Sequence, residues 1–452
     1  MMKAEPPAVW IKDPLAILAV GAERGVVVRD GRIAELVPAG RTPTTPDVKI
    51  FDAGAHVVLP GLINTHHHFY QTLTRAVPAA LDRELFPWLQ TLYPLWARLT
   101  PEALDLAVTL ATAELLLSGA TMTTDHHYVF PNGLEDAVDI EVAAARRLGV
   151  RVLLTRGSMN LSQRDGGLPP DSVVQDEDAI LADCERVVKR HHQRGEGAGV
   201  QIALAPCSPF SVTTSLMRAT AELAQRLDVR LHTHLAETED ENRFCQELYK
   251  CRPLDYLEEC GWLGEQTWLA HGIHFAPDEI ARLGRAGTAV THCPCSNQTL
   301  ASGTCPVCAM EDAGVRVGLG VDGSASNDAS NLMQEVRAAF LLQRSRYGVG
   351  KVSHRDALRW ATKGSAACAG RGDIGEIAVG KMADLAMFKL DELRFSGSGD
   401  PLAALVLCGA HRADRVMVGG RWVVENGEIP GLDVADLIRR HSAAARTLQG
   451  AA

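Results

Sequence analysis

The chain has no block of basic residues and no apolar stretch near the roughly 20 residues that a membrane-spanning helix needs. Its 45 Lys and Arg residues are scattered along the sequence, and 55 Asp and Glu residues outnumber them to give a formal net charge of −10. Binding to a nucleic-acid backbone or to an anionic membrane surface would require clustered positive charge. We therefore expect a small-molecule substrate, and neither nucleic acid nor membrane as a partner.

Features of secreted and of disordered proteins are also missing. The first residues include no uninterrupted apolar segment of the kind that a signal peptide carries. The 11 cysteines are an odd number in a long chain, which does not suit a secreted disulfide framework. With 46% hydrophobic and 22% charged residues and no low-complexity tract, the composition is that of an ordinary globular protein. We expect a compact cytoplasmic protein whose thiols are reduced.

Eight short apolar runs, rich in β-branched residues, alternate with segments whose apolar residues recur near a 3.6-residue period. The runs are 55–63, 120–127, 150–157, 200–207, 229–237, 267–274, 288–297 and 315–323. Strand and helix alternating eight times over about 260 residues are typical of a (β/α)₈ TIM barrel, and an open doubly wound sheet is the structural alternative.

Both ends of the chain depart from this alternation. They contain strand-like pieces and hairpin-like segments with Gly at the bends, at 26–36, 375–388 and 415–428. We therefore predict an α/β fold in two parts. A (β/α)₈ TIM barrel spans residues 59–372, and a small β-sandwich domain is built from both chain ends, 1–58 and 373–452.

Histidines concentrate at the ends of the predicted strands, where a barrel of this kind carries its catalytic groups. Strand one is followed by His66 and His68, strand five contains His232 and His234, strand six ends in His271, and strand eight runs into Asp322. Because side chains alternate along a strand, residues two apart can face the same metal ion. A metal ion that activates water needs neutral imidazoles, a carboxylate and an open position. The alternation of side chains alone does not decide whether His232 or His234 of strand five would bind the metal ion.

Six segments resemble, in order, the signatures of the amidohydrolase superfamily, in particular of its mononuclear-metal aminohydrolase branch. They are PGLINTHHHFYQ (60–71), HTHLAETEDE (232–241), AHGIH (270–274), THCPCSN (291–297), GLGVDGSASN (318–327) and IGEIAVGKMADL (374–385). Members of this branch deaminate purines, pterins and triazines. The resemblance extends over nearly the whole chain.

The resemblance implies one divalent metal ion per chain, held by four residues: His66, His68, His234 and Asp322. It also implies that Glu237, His271 and Asp322 are the acid and base groups. Dinuclear relatives carry a Lys at the end of strand four, and the run at 200–207 contains none. Ligand softness leaves zinc, iron(II) and manganese open, and the resemblance favours Zn²⁺, with Fe²⁺ as the alternative.

The implied reaction is hydrolytic removal of an exocyclic amine from a small heterocycle. The segments at 125–131, 153–178 and 234–264 resemble the members that deaminate 8-oxoguanine to urate and ammonia. Related substrates remain alternatives: guanine, isoxanthopterin, or a hydroxytriazine, with chlorohydrolase chemistry included. A catalytically dead barrel kept as a scaffold is the alternative from another class. Barrels of this kind often associate, so a homo-oligomer is compatible with the sequence.

Four further residues are candidates for substrate binding. Gln71 follows His68 by three residues, a spacing at which the family uses the amide to bind a ring edge. Trp88 either walls a flat heterocycle or packs in the core. Cys207 stands where guanine deaminases carry an Arg, which argues against guanine. Arg156 is either a pocket residue or a structural ion-pair partner, and Glu237 would also contact the substrate.

Overall fold

The computed structural model describes residues 8–450. Within this range the strands are β1 (Val9–Lys12), β2 (Ala16–Ile17), β3 (Gly25–Arg29), β4 (Arg32–Leu36), β5 (Lys49–Asp52), β6 (His56–Pro60), β7 (Leu62–Asn64), β8 (Ala120–His127), β9 (Arg151–Ser158), β10 (Val200–Pro206), β11 (Leu231–Leu235), β12 (Thr267–His271), β13 (Ala289–His292), β14 (Val317–Leu319), β15 (Leu385–Lys389), β16 (Arg415–Val418) and β17 (Arg421–Val424).

The α-helices are α1 (Leu85–Trp96), α2 (Pro101–Leu117), α3 (Ala137–Leu148), α4 (Glu177–His191), α5 (Thr214–Leu227), α6 (Glu239–Leu248), α7 (Pro253–Glu259), α8 (Pro277–Ala286), α9 (Pro294–Thr299), α10 (Val307–Asp312), α11 (Leu332–Tyr347), α12 (His354–Arg359), α13 (Ser365–Cys368), α14 (Pro401–Leu407) and α15 (Val434–Gln449). Short 3₁₀ segments are Phe69–Thr74, Gln163–Asp165, Asp171–Val173 and Leu393–Phe395, and a π segment is Trp360–Gly364. None of these helices is both long and apolar enough to cross a membrane.

Strands β7 to β14 form one parallel eight-stranded sheet whose spatial order follows the chain order. Its two edge strands meet, because the Thr65 N–H donates to the Leu319 carbonyl (3.0 Å) and the Asp322 N–H donates to the His66 carbonyl (3.1 Å). The strands are buried along almost their whole length, as expected for a parallel sheet that helices cover. The predicted (β/α)₈ barrel is therefore confirmed.

The prediction of a single first strand at 55–63 is wrong in one respect, because this segment forms two strands that belong to different sheets. The Gly61 N–H donates to the Asp384 carbonyl (2.8 Å), whereas the next N–H, of Leu62, donates to the Gly119 carbonyl (3.0 Å). A Cβ atom at position 61 would lie 2.2 Å from Thr121 Oγ1. The point at which the chain passes from one sheet to the other therefore has room only for glycine. Strand β6 thus ends in the outer domain, and β7 opens the barrel.

The outer domain consists of two sheets that pack face to face. One has the order β4-β3-β1-β5, and the other has the order β17-β16-β15-β6-β2. The second sheet joins distant parts of the chain, because β15 pairs antiparallel with β6. Apolar side chains from both sheets share one core, including Ile11, Val26, Val58, Leu385 and Met387. The predicted β-sandwich from both chain ends is confirmed, and the two residue ranges given for the domains stay a prediction.

The C-terminal helix α15 supports the segment that follows the first histidines. His441 Nε2 lies 3.0 Å from Thr72 Oγ1, and the Gln449 side-chain amide donates to the Leu73 carbonyl (2.8 Å). Helix α2, which packs beside α15, begins where the Thr100 hydroxyl accepts from the Ala103 N–H (3.3 Å) and has Pro101 in its first turn. The barrel rim around residues 66–74 is therefore held from outside.

Candidate active site

The four predicted metal ligands meet at the C-terminal ends of the barrel strands. His66 and His68 follow β7, His234 lies in β11, and Asp322 follows β14. His68 Nε2 lies 3.1 Å from His234 Nε2, and Asp322 Oδ1 lies 3.3 Å from His66 Nε2 and 3.4 Å from His68 Nε2. Three of the side chains are buried and His234 is half-buried. Four ligand atoms thus converge on one point.

Backbone carbonyls fix the hydrogen positions on two of these rings. His68 Nδ1 lies 2.8 Å from the His126 carbonyl, and His234 Nδ1 lies 2.6 Å from the Cys207 carbonyl. A carbonyl only accepts, so each Nδ1 carries the hydrogen and each Nε2 presents a lone pair. Two lone pairs then face each other across 3.1 Å, an arrangement that a cation between them would stabilise.

His66 is oriented through a second histidine. His232 Nδ1 lies 2.8 Å from the Trp268 carbonyl, so the hydrogen of His232 is on Nδ1 and its Nε2 accepts from His66 Nδ1 (2.8 Å). The lone pair of His66 is therefore on Nε2, which is buried without a hydrogen-bond partner among the described residues. Of the two strand-five histidines, His234 is the one whose Nε2 reaches the convergence point, because the Nε2 of His232 is occupied.

The protonation of these groups also suits a divalent cation. Burial lowers the pKa of His68, His234 and His271 to about 4, so the rings are neutral at neutral pH. Neutral imidazole nitrogens with a carboxylate oxygen are ligands for zinc and for iron(II). Ligand atoms of His66, His68 and Asp322 lie within 4.8 Å of one another. The residues present therefore fit a metal ion.

Two of the three predicted acid and base groups lie beside the predicted metal ligands, and the third, Asp322, is one of those ligands. Glu237 follows β11 and His271 ends β12, and His271 Nε2 lies 3.5 Å from Glu237 Oε2 and 3.9 Å from Asp322 Oδ2. Burial, and then the nearby charge of Asp322, raises the pKa of Glu237 well above its usual range. Glu237 is thus suited to carry a proton at neutral pH.

The backbone is strained at the same place. His271 (φ 76°) and Asp322 (φ 65°) both adopt the left-handed conformation that residues other than glycine rarely take. Such strain costs about 1–3 kcal/mol per residue and clusters at functional sites. The fold therefore places these two side chains at a cost in stability.

A pocket opens beside the predicted metal ligands, and apolar side chains make up part of its lining. It is lined by His68, Gln71, Leu85, Trp88, Leu89, Tyr128, Cys207, Phe210, His234, Glu237, His271, Leu300, Asp322 and Ser326. Gln71 presents a buried Oε1 without a partner among the described residues. Trp88 lines the pocket and also packs in the core, where its ring lies 5.7 Å from the Trp96 ring. Cys207 is also part of the wall.

Arg156 is placed differently from the other substrate-binding candidates. Its guanidinium donates to Asp183 Oδ2 (2.7 Å) and to Gln175 Oε1 (2.8 Å), and it lies 3.8 Å over the Phe130 ring. It is not among the described residues that line the cavity. These contacts favour the structural ion-pair interpretation that the sequence left open.

Two functional candidates were missed in the sequence, although they lie in the quoted segment 291–297. The Ser296 hydroxyl donates to Asp322 Oδ2 (2.6 Å), and Asn297 Nδ2 lies 2.9 Å from His271 Nδ1. Both residues are fully buried on α9. Consecutive polar residues just after an apolar strand are the signal that could have found them.

The amidohydrolase family model matches residues 57–423, and the chain belongs to this family. The family resemblance of the six motifs is thus confirmed. The sequence is 62% identical over 442 residues to an 8-oxoguanine deaminase of Pseudomonas aeruginosa, covering 97% of this chain and 98% of that protein. It is 36% identical to an isoxanthopterin deaminase of an unknown prokaryotic organism, covering 88% of this chain and 87% of that protein.

The solved structures lead to the same family. The crystal structure of the atrazine chlorohydrolase from Arthrobacter aurescens TC1 complexed with zinc matches with a TM-score of 0.91 and 30% sequence identity. The match covers 97% of this chain and 100% of that chain. A zinc-bound adenosine deaminase from Xanthomonas campestris matches with a TM-score of 0.84 and 28% identity, over 94% of this chain and 93% of that chain.

Proposed function

We propose that the protein is a metal-dependent hydrolytic deaminase that converts 8-oxoguanine and water to urate and ammonia. The observation that carries the proposal is the 62% identity, over 97% of the chain, to an 8-oxoguanine deaminase. The convergence of three histidines, one aspartate and two further titratable groups, Glu237 and His271, beside a pocket supports it. The predicted ligands and acid/base groups are all present, which argues against a dead scaffold.

We propose zinc as the resident metal, held by His66, His68, His234 and Asp322. Zinc in the structure of the related chlorohydrolase supports this choice, and iron(II) is the alternative. When bound, the metal supplies Lewis acidity that makes water nucleophilic at neutral pH.

The protein's own groups would move the protons. The attacking water adds to the ring carbon that bears the amine, and Asp322 Oδ2 accepts its proton. Glu237 donates a proton to the adjacent ring nitrogen, so the adduct is neutral rather than a delocalised anion. The carbon–nitrogen bond then breaks, and the amine leaves as ammonia with the proton that Asp322 took from the water. The ring nitrogen returns its proton to Glu237, which leaves the product as its hydroxyl tautomer, and this converts to the carbonyl form.

The cavity supports binding of a flat heterocycle. Trp88 and Phe210 provide apolar walls, which an aromatic ring can contact face-on or edge-on. We propose that the Gln71 amide binds a polar ring edge, since its Oε1 is buried without a partner within residues 8–450. Cys207 completes the wall at the position where an Arg would favour guanine. Arg156 is left out of the proposed pocket.

We also propose a cytoplasmic location, with a small heterocycle rather than nucleic acid or membrane as the partner. All eleven cysteines are free thiols in the structure, which suits a reducing compartment. The net charge of −10 suits a small-molecule enzyme better than a polyanion-binding protein.

Ammonia release in a coupled assay tests the proposed activity. We expect the zinc-loaded protein to show its highest kcat/KM on 8-oxoguanine, with lower values on guanine, isoxanthopterin and hydroxytriazines, because the overall match to an 8-oxoguanine deaminase far exceeds the match to an isoxanthopterin deaminase. Urate formation, followed by its absorbance, checks the product. Metal-replete protein that releases no ammonia from 8-oxoguanine would refute the proposal, and a higher kcat/KM on one of the other three would reassign the substrate.

A second prediction concerns His232, which orients a ligand without binding the metal itself. We expect His232→Phe to weaken zinc binding by about 10- to 100-fold, because the hydrogen bond that fixes the His66 ring is lost. Competition with a chromogenic chelator measures the affinity. His292→Phe is the matched control: His292 is equally buried, and its ring nitrogens have no partner among the described residues. Equal zinc affinities for the two variants would contradict the role of His232.

A further inference from the structure

Helix α9 places the side chain of Asn297 against the Nδ1 atom of His271, on the side of the ring opposite to Nε2. Asn297 is fully buried, and its Nδ2 lies 2.9 Å from His271 Nδ1. The backbone of Asn297 is held at both ends, because its N–H donates to the Cys293 carbonyl (3.0 Å) and its carbonyl accepts from the Ser302 N–H (2.9 Å). The side chain therefore meets His271 from a fixed position.

The α9 segment is itself anchored to the neighbouring strand end. The Cys295 N–H donates to Glu335 Oε2 (3.0 Å), and Glu335 Oε1 accepts from Asn327 Nδ2 (2.8 Å). Asn327 also donates to the Val321 carbonyl (2.7 Å), next to Asp322. These bonds tie α9 to the segment that carries Asp322, so the backbone of Asn297 has little freedom to move away from His271.

The surroundings of the His271 ring differ on its two sides. Its Nε2 faces two carboxyl groups, Glu237 Oε2 at 3.5 Å and Asp322 Oδ2 at 3.9 Å. A carboxylate that ligates a cation is ionised and can only accept. A protonated Glu237 still has a carbonyl oxygen that accepts, so a hydrogen on Nε2 can point toward Asp322 and toward that oxygen. A neutral imidazole has one hydrogen, and this placement leaves the lone pair on Nδ1.

The orientation of the Asn297 amide agrees with that assignment. With Nδ2 donating to His271 Nδ1, one acceptor, Asn297 Oδ1, stays without a partner among the described residues. The opposite orientation would place an NH₂ group with two donors at that same buried, partnerless position. It would also require the hydrogen of His271 on Nδ1, facing away from the carboxyl groups. Both consequences are less favourable.

We infer that Asn297 is a positioning residue that fixes His271 as the tautomer with its hydrogen on Nε2. This inference rests on the proposed function and deepens it, because it separates the roles of the two candidate bases. His271 then donates a hydrogen bond toward the reacting oxygen and does not remove a proton from water. Asp322 is the remaining group that accepts that proton.

Two substitutions at one position separate this role from simple packing. Asn297→Asp keeps the size of the side chain but replaces the donor by a carboxylate, which accepts a hydrogen from Nδ1 and so favours the opposite tautomer. Asn297→Ala removes the contact and enforces neither tautomer. We expect Asn297→Asp to lower kcat by about 100-fold or more, since a wrong histidine tautomer can cost up to about 10⁴ in kcat. We expect a smaller loss for Asn297→Ala, with KM little changed in both.

Histidine-selective ¹⁵N NMR of the zinc-loaded protein provides a readout that does not depend on turnover. The His271 resonances are assigned by comparison with His271→Gln. We expect a protonated Nε2 and an unprotonated Nδ1 in the wild type, and a protonated Nδ1 in Asn297→Asp. Asn160→Asp is the control: Asn160 also bonds through its amide, to Thr213 Oγ1 (2.8 Å), but it does not contact His271. It should leave the His271 signals and kcat unchanged.

Each outcome decides the inference. A wild-type His271 with its hydrogen on Nδ1, or an Asn297→Asp variant that is as active as Asn297→Ala, would overturn it. If Asn297→Asp does not fold, the wild-type spectrum still decides, because a hydrogen on Nδ1 of His271 overturns the inference. A wild type that releases no ammonia but shows the expected tautomer would refute the proposed function and leave the hydrogen assignment intact.

Discussion

Glu237→Gln is expected to keep its metal and to lose turnover, with kcat on 8-oxoguanine reduced by about 10³-fold. The substitution preserves the shape of a side chain that is only 6% exposed, so packing should survive. It removes a carboxyl group that lines the pocket and is suited to carry a proton, because burial raises its pKa well above the usual range. A Gln cannot pass a proton to the ring nitrogen and recover it. Steady-state kinetics and elemental analysis of the same preparation check both parts of the prediction.

Glu239→Gln is the matched control for this experiment. Glu239 lies two residues further on, its side chain is 62% exposed, and it pairs with His274 Nδ1 (2.9 Å) outside the cavity. We expect its kcat to equal that of the wild type. If Glu237→Gln retained turnover, another group would have to carry the proton. If it lost its metal, Glu237 would be part of the metal site instead.

The barrel could be predicted from the sequence because its strands are buried on both faces and read as apolar runs. The split of the first run at Gly61 could not be predicted in the same way. What separates β6 from β7 is the choice of hydrogen-bond partner, the Asp384 carbonyl for one residue and the Gly119 carbonyl for the next. These partners are distant in sequence, and the run itself is apolar throughout. Local pattern therefore finds the segment but not the sheet to which each half belongs.

The proposed metal ligands show the same division between local and distant information. Alternation of side chains predicts His66 and His68 on one face, and both Nε2 atoms lie within 3.4 Å of Asp322 Oδ1, although the two residues follow β7. The same alternation treats His232 and His234 alike. The two are distinguished by which backbone carbonyl binds Nδ1, that of Trp268 or that of Cys207. Those carbonyls come from neighbouring strands, so only the closed barrel, or a motif resemblance that encodes it, selects His234.

The roles of buried polar residues were the least accessible to sequence reasoning. Arg156 ends a strand-like run and so qualifies as a pocket residue, yet Asp183 from α4 engages its guanidinium. Asn297 is not a residue type that by itself suggests catalysis, yet its amide reaches His271. In both cases the partner lies on a different element, and the side chain's chemistry is decided by packing.

Removing one ligand is expected to have the largest effect of all on the holoenzyme. We expect His68→Ala to reduce the metal content to near zero per chain and to lower kcat/KM by about 10³-fold or more, since no water would be activated without the metal. His68 is the natural choice because its Nε2 lies closest to two other ligand atoms, 3.1 Å from His234 Nε2 and 3.4 Å from Asp322 Oδ1. Elemental analysis after dialysis and the ammonia assay provide the measurements.

Thermal unfolding with and without added zinc tests the same site independently of turnover. A ligand that binds only the folded state at 1,000 times its Kd adds about 4 kcal/mol to the free energy of unfolding, so Tm of the wild type should rise with zinc. We expect no such rise in Tm for His68→Ala, because the zinc ion would lose the ligand that faces His234 Nε2. His354→Ala, on the outer helix α12, should bind zinc and respond like the wild type. If zinc did not change the Tm of the wild type and its metal content stayed near zero, the four side chains would converge without binding a cation. That result would contradict the proposed metal site and favour a barrel that no longer works as an enzyme.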